Sequence, residues 1–143
     1  MLKGIPHILS PDPLHALQSM GHGDEITIAD GNYPGASTAQ RLIRADGHSV
    51  SDLLEAILSL LPLDHFVPDP AIVMQVVGDP AATPPAVAEF AAIVAKHDPG
   101  TALTSLERFA FYERVRTGYA VVQTGDRRFY ANIILKKGVI APD

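Results

Sequence analysis

The stretch Ala71-Ile72-Val73-Met74-Gln75-Val76-Val77 is apolar at every position except Gln75. It shows no alternation of polar and apolar residues, so it reads as a strand covered on both faces. Such a strand needs helices above and below its sheet, and the flanking sequence supplies them. Before it, residues 49–61 place Val50, Leu53, Leu54, Ile57, Leu58 and Leu61 at helical spacing. Ser49 with Asp52 three residues on starts that helix as a capping-box variant, and Pro62 stops it. After it, Thr83-Pro84 opens a helix with Val87, Phe90, Ala91 and Val94 inward and Lys96 and His97 near its end.

Farther out the alternation continues. Pro11-Asp12-Pro13 begins a short helix through Leu14, Leu17 and Met20. Residues 25–29 and 41–44 read as strands, with Gly31-Asn32-Tyr33-Pro34-Gly35 as a loop between them. Residues 101–106 form a strand, 109–116 a helix, 119–123 a strand and 129–135 a last strand, with Thr124-Gly125-Asp126 as the turn before it. The expectation is α/β: a single layered α/β/α domain over residues 1–143 with a mostly parallel sheet. The last two strands also admit an antiparallel hairpin.

Composition removes several function classes. At 143 residues the chain buries about 70% of its unfolded surface, enough for one real core. The absence of Cys excludes a disulfide framework, a thiolate zinc site and a cysteine nucleophile. A net charge of −5 argues against a nucleic-acid backbone as partner. No apolar run reaches the ~18 residues of a membrane span. The opening Met1-Leu2-Lys3-Gly4-Ile5-Pro6-His7 lacks the apolar stretch of a signal peptide, so the expected location is the cytoplasm.

The chemistry-bearing residues fall in three places. In Met20-Gly21-His22-Gly23-Asp24-Glu25-Ile26-Thr27-Ile28-Ala29-Asp30, a histidine lies between glycines and a short strand ends in an aspartate. That pairs an acid/base side chain with a carboxylate on one rigid element. Asp30 is either a ligand group beyond the carboxyl end of a strand or an Asx-turn residue entering the next loop. Arg108 closes a strand, either as a fork of donors for hydroxyl or carboxylate oxygens or as a surface ion pair with Glu107 or Glu113. Tyr130-Ala131-Asn132 lies in the last strand, where residues two apart share a face that could bind a polar ligand. A metal bound by His22, Asp24, Asp30 and His48 has no recognised ligand spacing behind it. There is no phosphate loop, G-x-S-x-G elbow or H-E-x-x-H.

Five segments together resemble the fucose mutarotase / D-ribose pyranase family. They are Met20-Gly21-His22-Gly23-Asp24-Glu25, Ile43-Arg44-Ala45-Asp46-Gly47, Val50-Ser51-Asp52-Leu53-Leu54, Arg108-Phe109-Ala110-Phe111-Tyr112-Glu113-Arg114 and Tyr130-Ala131-Asn132-Ile133-Ile134-Leu135-Lys136-Lys137-Gly138. The likeness covers nearly the whole chain, and the arginine-led segment resembles the fucose branch. By position it implies that His22 is the catalytic acid/base and that Asp30, Arg108, Tyr130, Ala131 and Asn132 bind sugar. Tyr130 is the candidate partner acid, and Asp30 orients His22 or holds a sugar hydroxyl. Ala131 stands where the family has glycine, which a backbone contact tolerates unless φ there is positive. Gly31-Asn32-Tyr33 varies the loop after Asp30.

The implied activity is interconversion of the α and β anomers of L-fucose or a related monosaccharide, with no metal or redox cofactor. The alternatives are D-ribose pyranase activity and a non-catalytic monosaccharide-binding or transport-accessory role. The resemblance also implies a homo-oligomer, a ring-shaped decamer with sites near subunit contacts.

Overall fold

A computed structural model describes residues 1–143. In chain order the elements are α1 (Pro11–Ser19), β1 (Glu25–Ala29), α2 (Gly35–Thr38), β2 (Leu42–Ala45), α3 (Val50–Leu58), β3 (Ala71–Met74), α4 (Pro85–His97), β4 (Thr104–Leu106), α5 (Arg108–Arg116), β5 (Ala120–Thr124) and β6 (Ile133–Lys136). The strands form one sheet in the order β2-β5-β1-β6-β3-β4. β2, β5, β1, β3 and β4 run parallel, and β6 runs antiparallel between β1 and β3.

Period-two alternation assigns each strand residue to a helical layer. Ile26, Ile28, Val73, Val122, Ile133 and Leu135 pack with Leu17, Leu53, Leu54, Ile57, Phe90 and Val94, so α1, α3 and α4 cover that face. Ala29, Ile72, Met74, Val121 and Ile134 face the other way, against Phe111 and Val115 of α5. Each fully buried Ile, Leu or Phe in these layers contributes about 1.5–3 kcal/mol. The Ser49 side chain accepts the Asp52 amide at 3.1 Å and caps α3 as expected.

The structure corrects several local expectations. β5 and β6 are not a hairpin, because β1 lies between them and the segment joining them crosses its carboxyl end. β3 stops at Met74, and a turn bonding the Asp79 amide to the Val76 carbonyl at 3.1 Å leaves Val77 exposed. The loop after Asp30 contains one turn of helix, α2. In α4 the inward residues are Ala86, Val87, Phe90 and Val94, and Ala91 faces out.

Candidate functional site

The carboxyl ends of β1 and β3 open on the α5 face of the sheet, the place where parallel sheets gather ligands. A cleft of about 400 Å³ lies there, lined by Asp30, Asn32, Tyr33, Met74, Val77, Arg108, Tyr112, Phe129, Tyr130 and Asn132. Four of the expected binding residues therefore converge: Asp30, Arg108, Tyr130 and Asn132.

The antiparallel course of β6 makes this possible. Ile133 sits opposite Ile28, so the residue before β6 meets the residues that end β1. The Asp30 amide donates to Asn132 Oδ1 at 2.9 Å, and Asn132 Nδ2 donates to Asp30 Oδ2 at 3.0 Å. The Asn32 amide donates to Asp30 Oδ1 at 2.9 Å. Asp30 is thus an Asx-turn residue and a cleft residue at once. Burial pushes its carboxyl above the usual value, against the lowering by the bonds from Asn32 and Asn132. The result is a carboxyl group fixed in the wall of the cleft. Behind it, Gln123 Nε2 donates to the Tyr33 carbonyl at 2.6 Å, and the Gly31 amide donates to the Asp126 carbonyl at 2.9 Å.

Arg108 opens α5 rather than closing a strand. Glu107 accepts the Phe109 and Ala110 amides as the helix cap, and Glu113 pairs with Arg116. Neither glutamate holds Arg108. Its Nε donates to the Tyr112 hydroxyl at 3.3 Å, one helical turn along the same face. Tyr112 was not among the expected site residues, although its i, i+4 spacing from Arg108 is visible in R-F-A-F-Y-E-R. The Tyr33 ring stands edge-on to Phe111 and Tyr112, and burial pushes its phenol up to about 12, which keeps it neutral.

Tyr130, Ala131 and Asn132 precede β6 and do not lie in it. Tyr130 has φ +60°, a left-handed backbone that costs a non-glycine residue about 1–2 kcal/mol. Its hydroxyl accepts the Val77 amide at 3.1 Å. Ala131 has no positive φ and is fully buried in the core, so its backbone does not require glycine.

His22 stands elsewhere. It precedes β1 while Asp30 follows it, and the five strand residues alone span about 16 Å. The two therefore do not meet within one chain, and the carboxylate beside His22 is Asp64. His22 Nε2 lies 3.1 Å from Asp64 Oδ1, which also accepts the Phe66 amide at 3.0 Å. The Phe66 amide first, then His22, hold the Asp64 carboxyl below its usual value. Asp64 is buried, whereas the His22 side chain is 45% exposed and lies against the Phe66 ring. Nothing in Leu61-Pro62-Leu63-Asp64 announces this partner from sequence. Gly23 takes φ +86° in the His22 turn, a conformation suited to glycine, and its amide donates to the Lys137 carbonyl at 2.8 Å. No group of three or more His, Cys, Asp or Glu side chains is arranged to hold a metal ion.

Known proteins resemble this chain over nearly its whole length. The chain is 47% identical to human fucose mutarotase over 98% of its own length and 95% of that protein's. It is 44% identical to an L-fucose mutarotase of Actinobacillus pleuropneumoniae, covering 97% of each. A fucose mutarotase from Streptococcus pneumoniae, solved in complex with L-fucose, superposes with a TM-score of 0.92 at 47% identity, over 98% of this chain and 100% of that one. Residues 3–140 match the family described as RbsD / FucU transport proteins, and with that span and these relatives the chain belongs to the RbsD / FucU family.

Proposed function

We propose that this protein is a monosaccharide mutarotase, an isomerase that interconverts the α and β anomers of L-fucose or a related sugar. The observation that carries the reading is the cleft in which Asp30, Asn132, Tyr130, Tyr112 and Arg108 converge, in a chain so similar to fucose mutarotases. Ring opening needs a proton removed from the anomeric hydroxyl and a proton supplied to the ring oxygen. As the hydroxyl proton leaves, the carbon–oxygen double bond forms and the bond to the ring oxygen breaks. Rotation of the free aldehyde and the reverse transfers close the other anomer, with no net gain or loss of atoms. Each positioned acid or base contributes on the order of 10²–10⁴-fold.

Asp30 and Asn132 hold sugar hydroxyls, since their mutual bonds fix both. Arg108 places further hydroxyls and holds Tyr112, and Tyr130 donates toward the sugar's acceptor oxygens. Ala131 contributes backbone only. His22 is the catalytic acid/base, oriented by Asp64. The length of β1 separates it from the cleft of its own chain, so it serves the cleft of a neighbouring copy in a homo-oligomer, a ring-shaped decamer. Exposed apolar groups flank both halves: Phe66, 77% exposed, beside His22, and Phe129 and Phe109, 79% and 66% exposed, near the cleft. The protein acts as one domain over residues 1–143, in the cytoplasm, without a cofactor and without nucleic-acid or membrane partners.

Magnetisation exchange between the anomers of L-fucose, followed by NMR, tests the reading. Enzyme-dependent exchange is expected with the wild type and is lost in folded His22→Ala. A wild-type chain that binds fucose but leaves exchange at the spontaneous rate would instead be a binding or transport-accessory protein.

A further inference from the structure

We infer that the backbone amide of Val77 is a positioning group for the reaction, holding the Tyr130 hydroxyl as a hydrogen-bond donor toward the sugar. The inference rests on the reading of Tyr130 as a residue that touches substrate. Val77 lies beyond the end of β3, past the last bond to the neighbouring strand, Gln75 amide to Leu106 carbonyl at 2.8 Å. The chain then turns, with the Asp79 amide on the Val76 carbonyl and Gly78 at φ +80°. That turn leaves the Val77 amide free of the sheet and directed at Tyr130 Oη, 3.1 Å away.

A phenol oxygen has one proton to give and lone pairs to receive with. The Val77 amide occupies the accepting side, so the group that Tyr130 presents to the cleft is its proton. Of the sugar's oxygens, the ring oxygen is the one that must gain a proton when the ring opens, so the Tyr130 proton is assigned to it. When the ring opens, the Tyr130 proton moves to that oxygen and the phenolate left behind keeps the bond from the Val77 amide. On closure the proton returns. A preset N–H donor aimed at charge that develops during reaction lowers the barrier more than it tightens ground-state binding. The left-handed backbone at Tyr130 fixes one end of the side chain, and the Val77 amide fixes the other.

The test is a cycle of Val77→Pro and Val77→Ala, each in the Tyr130 and the Tyr130→Phe background, read as L-fucose anomer exchange. Proline removes the amide proton, and alanine truncates the valine side chain while keeping that proton. The expected result is a kcat about tenfold lower for Val77→Pro than for Val77→Ala, with KM little changed, and no such difference once Tyr130 is Phe. Tyrosine labelled with carbon-13 at Cζ gives a readout independent of turnover: the Tyr130 Cζ resonance moves when the bond from the Val77 amide is lost, and an unmoved resonance counts against the contact. Equal kcat for proline and alanine, or an equal proline penalty in both backgrounds, overturns the inference and leaves Tyr130 in place. Full exchange by Tyr130→Phe alone overturns the reading of Tyr130 itself, and the inference with it.

Discussion

Mixing two impaired variants tests whether a site is completed by a second copy. His22→Ala removes the proposed acid/base from one end of β1, and Tyr130→Phe removes a hydroxyl at the other. The strand between them spans about 16 Å, far longer than a pyranose ring. If each site takes His22 from one copy and the cleft from its neighbour, random assembly of equal amounts leaves about one site in four with both wild-type halves. Co-expressed variants should therefore recover about a quarter of wild-type exchange per site, although either alone has little. If both residues served a site within one chain, every site would carry one lesion. Activity of the mixed assembly no greater than the mean of the two parents would refute the shared site.

Other outcomes follow from the same geometry. Asn132→Ala strands a buried Asp30 carboxylate oxygen and the Asp30 amide, a loss of about 2–4 kcal/mol or roughly 10 °C in Tm, and a calorimetric shift under about 2 °C would contradict it. A Cβ on Gly125 falls on the Asp46 carbonyl whereas one on Gly47 meets open space, so Gly125→Ala should melt well below Gly47→Ala, and equal Tm values would count against the close approach. Burial raises the Asp126 carboxyl, but bonds from Arg128 and the Val50 amide outweigh it and leave it below the ordinary 3.8. A carboxyl depressed by folding adds stability above that pH which is lost as pH falls through its folded value, so Arg128→Met should flatten the acid limb of Tm against pH below about pH 4. In the exchange assay L-fucose should run faster than D-ribose, and the reverse order would remove the assignment to the fucose branch.

The layered architecture was legible because its signals are local. The apolar run at residues 71–77, the periodicity of α3 and the Ser49 cap each act within one element. Asp30 is legible as a polar group at a strand end, whereas Arg108, expected to close a strand, opens a helix whose face it shares with Tyr112, as their spacing shows. The position of β6 was hidden, because adjacency in sequence suggested β5 as its partner and only the whole sheet places it between β1 and β3. That hidden position explains why Tyr130 and Asn132 were misread as neighbours on one strand face. They meet the cleft through a left-handed residue and a reciprocal bond to Asp30. Asp64 beside His22 was hidden for a similar reason, since the two are 42 residues apart.

β6 is last of the six strands in chain order and central in the sheet, which has consequences for synthesis and folding. Until it is made, β2-β5-β1 and β3-β4 are two part-sheets with no ladder between them. Each presents an unsatisfied edge, and such edges recruit other chains. Ile133, Ile134 and Leu135 close both at once, Ile133 opposite Ile28 on one side and Val73 on the other. Pairings so distant in sequence form slowly, so a nascent chain remains prone to aggregation until β6 has been translated. The same insertion carries Asn132 to Asp30 and seals the wall that includes Met74. A chain truncated before Asn132 thus lacks the bond that orders Asp30 as well as the strand that joins its two half-sheets, and ligand binding would distinguish finished molecules from arrested ones.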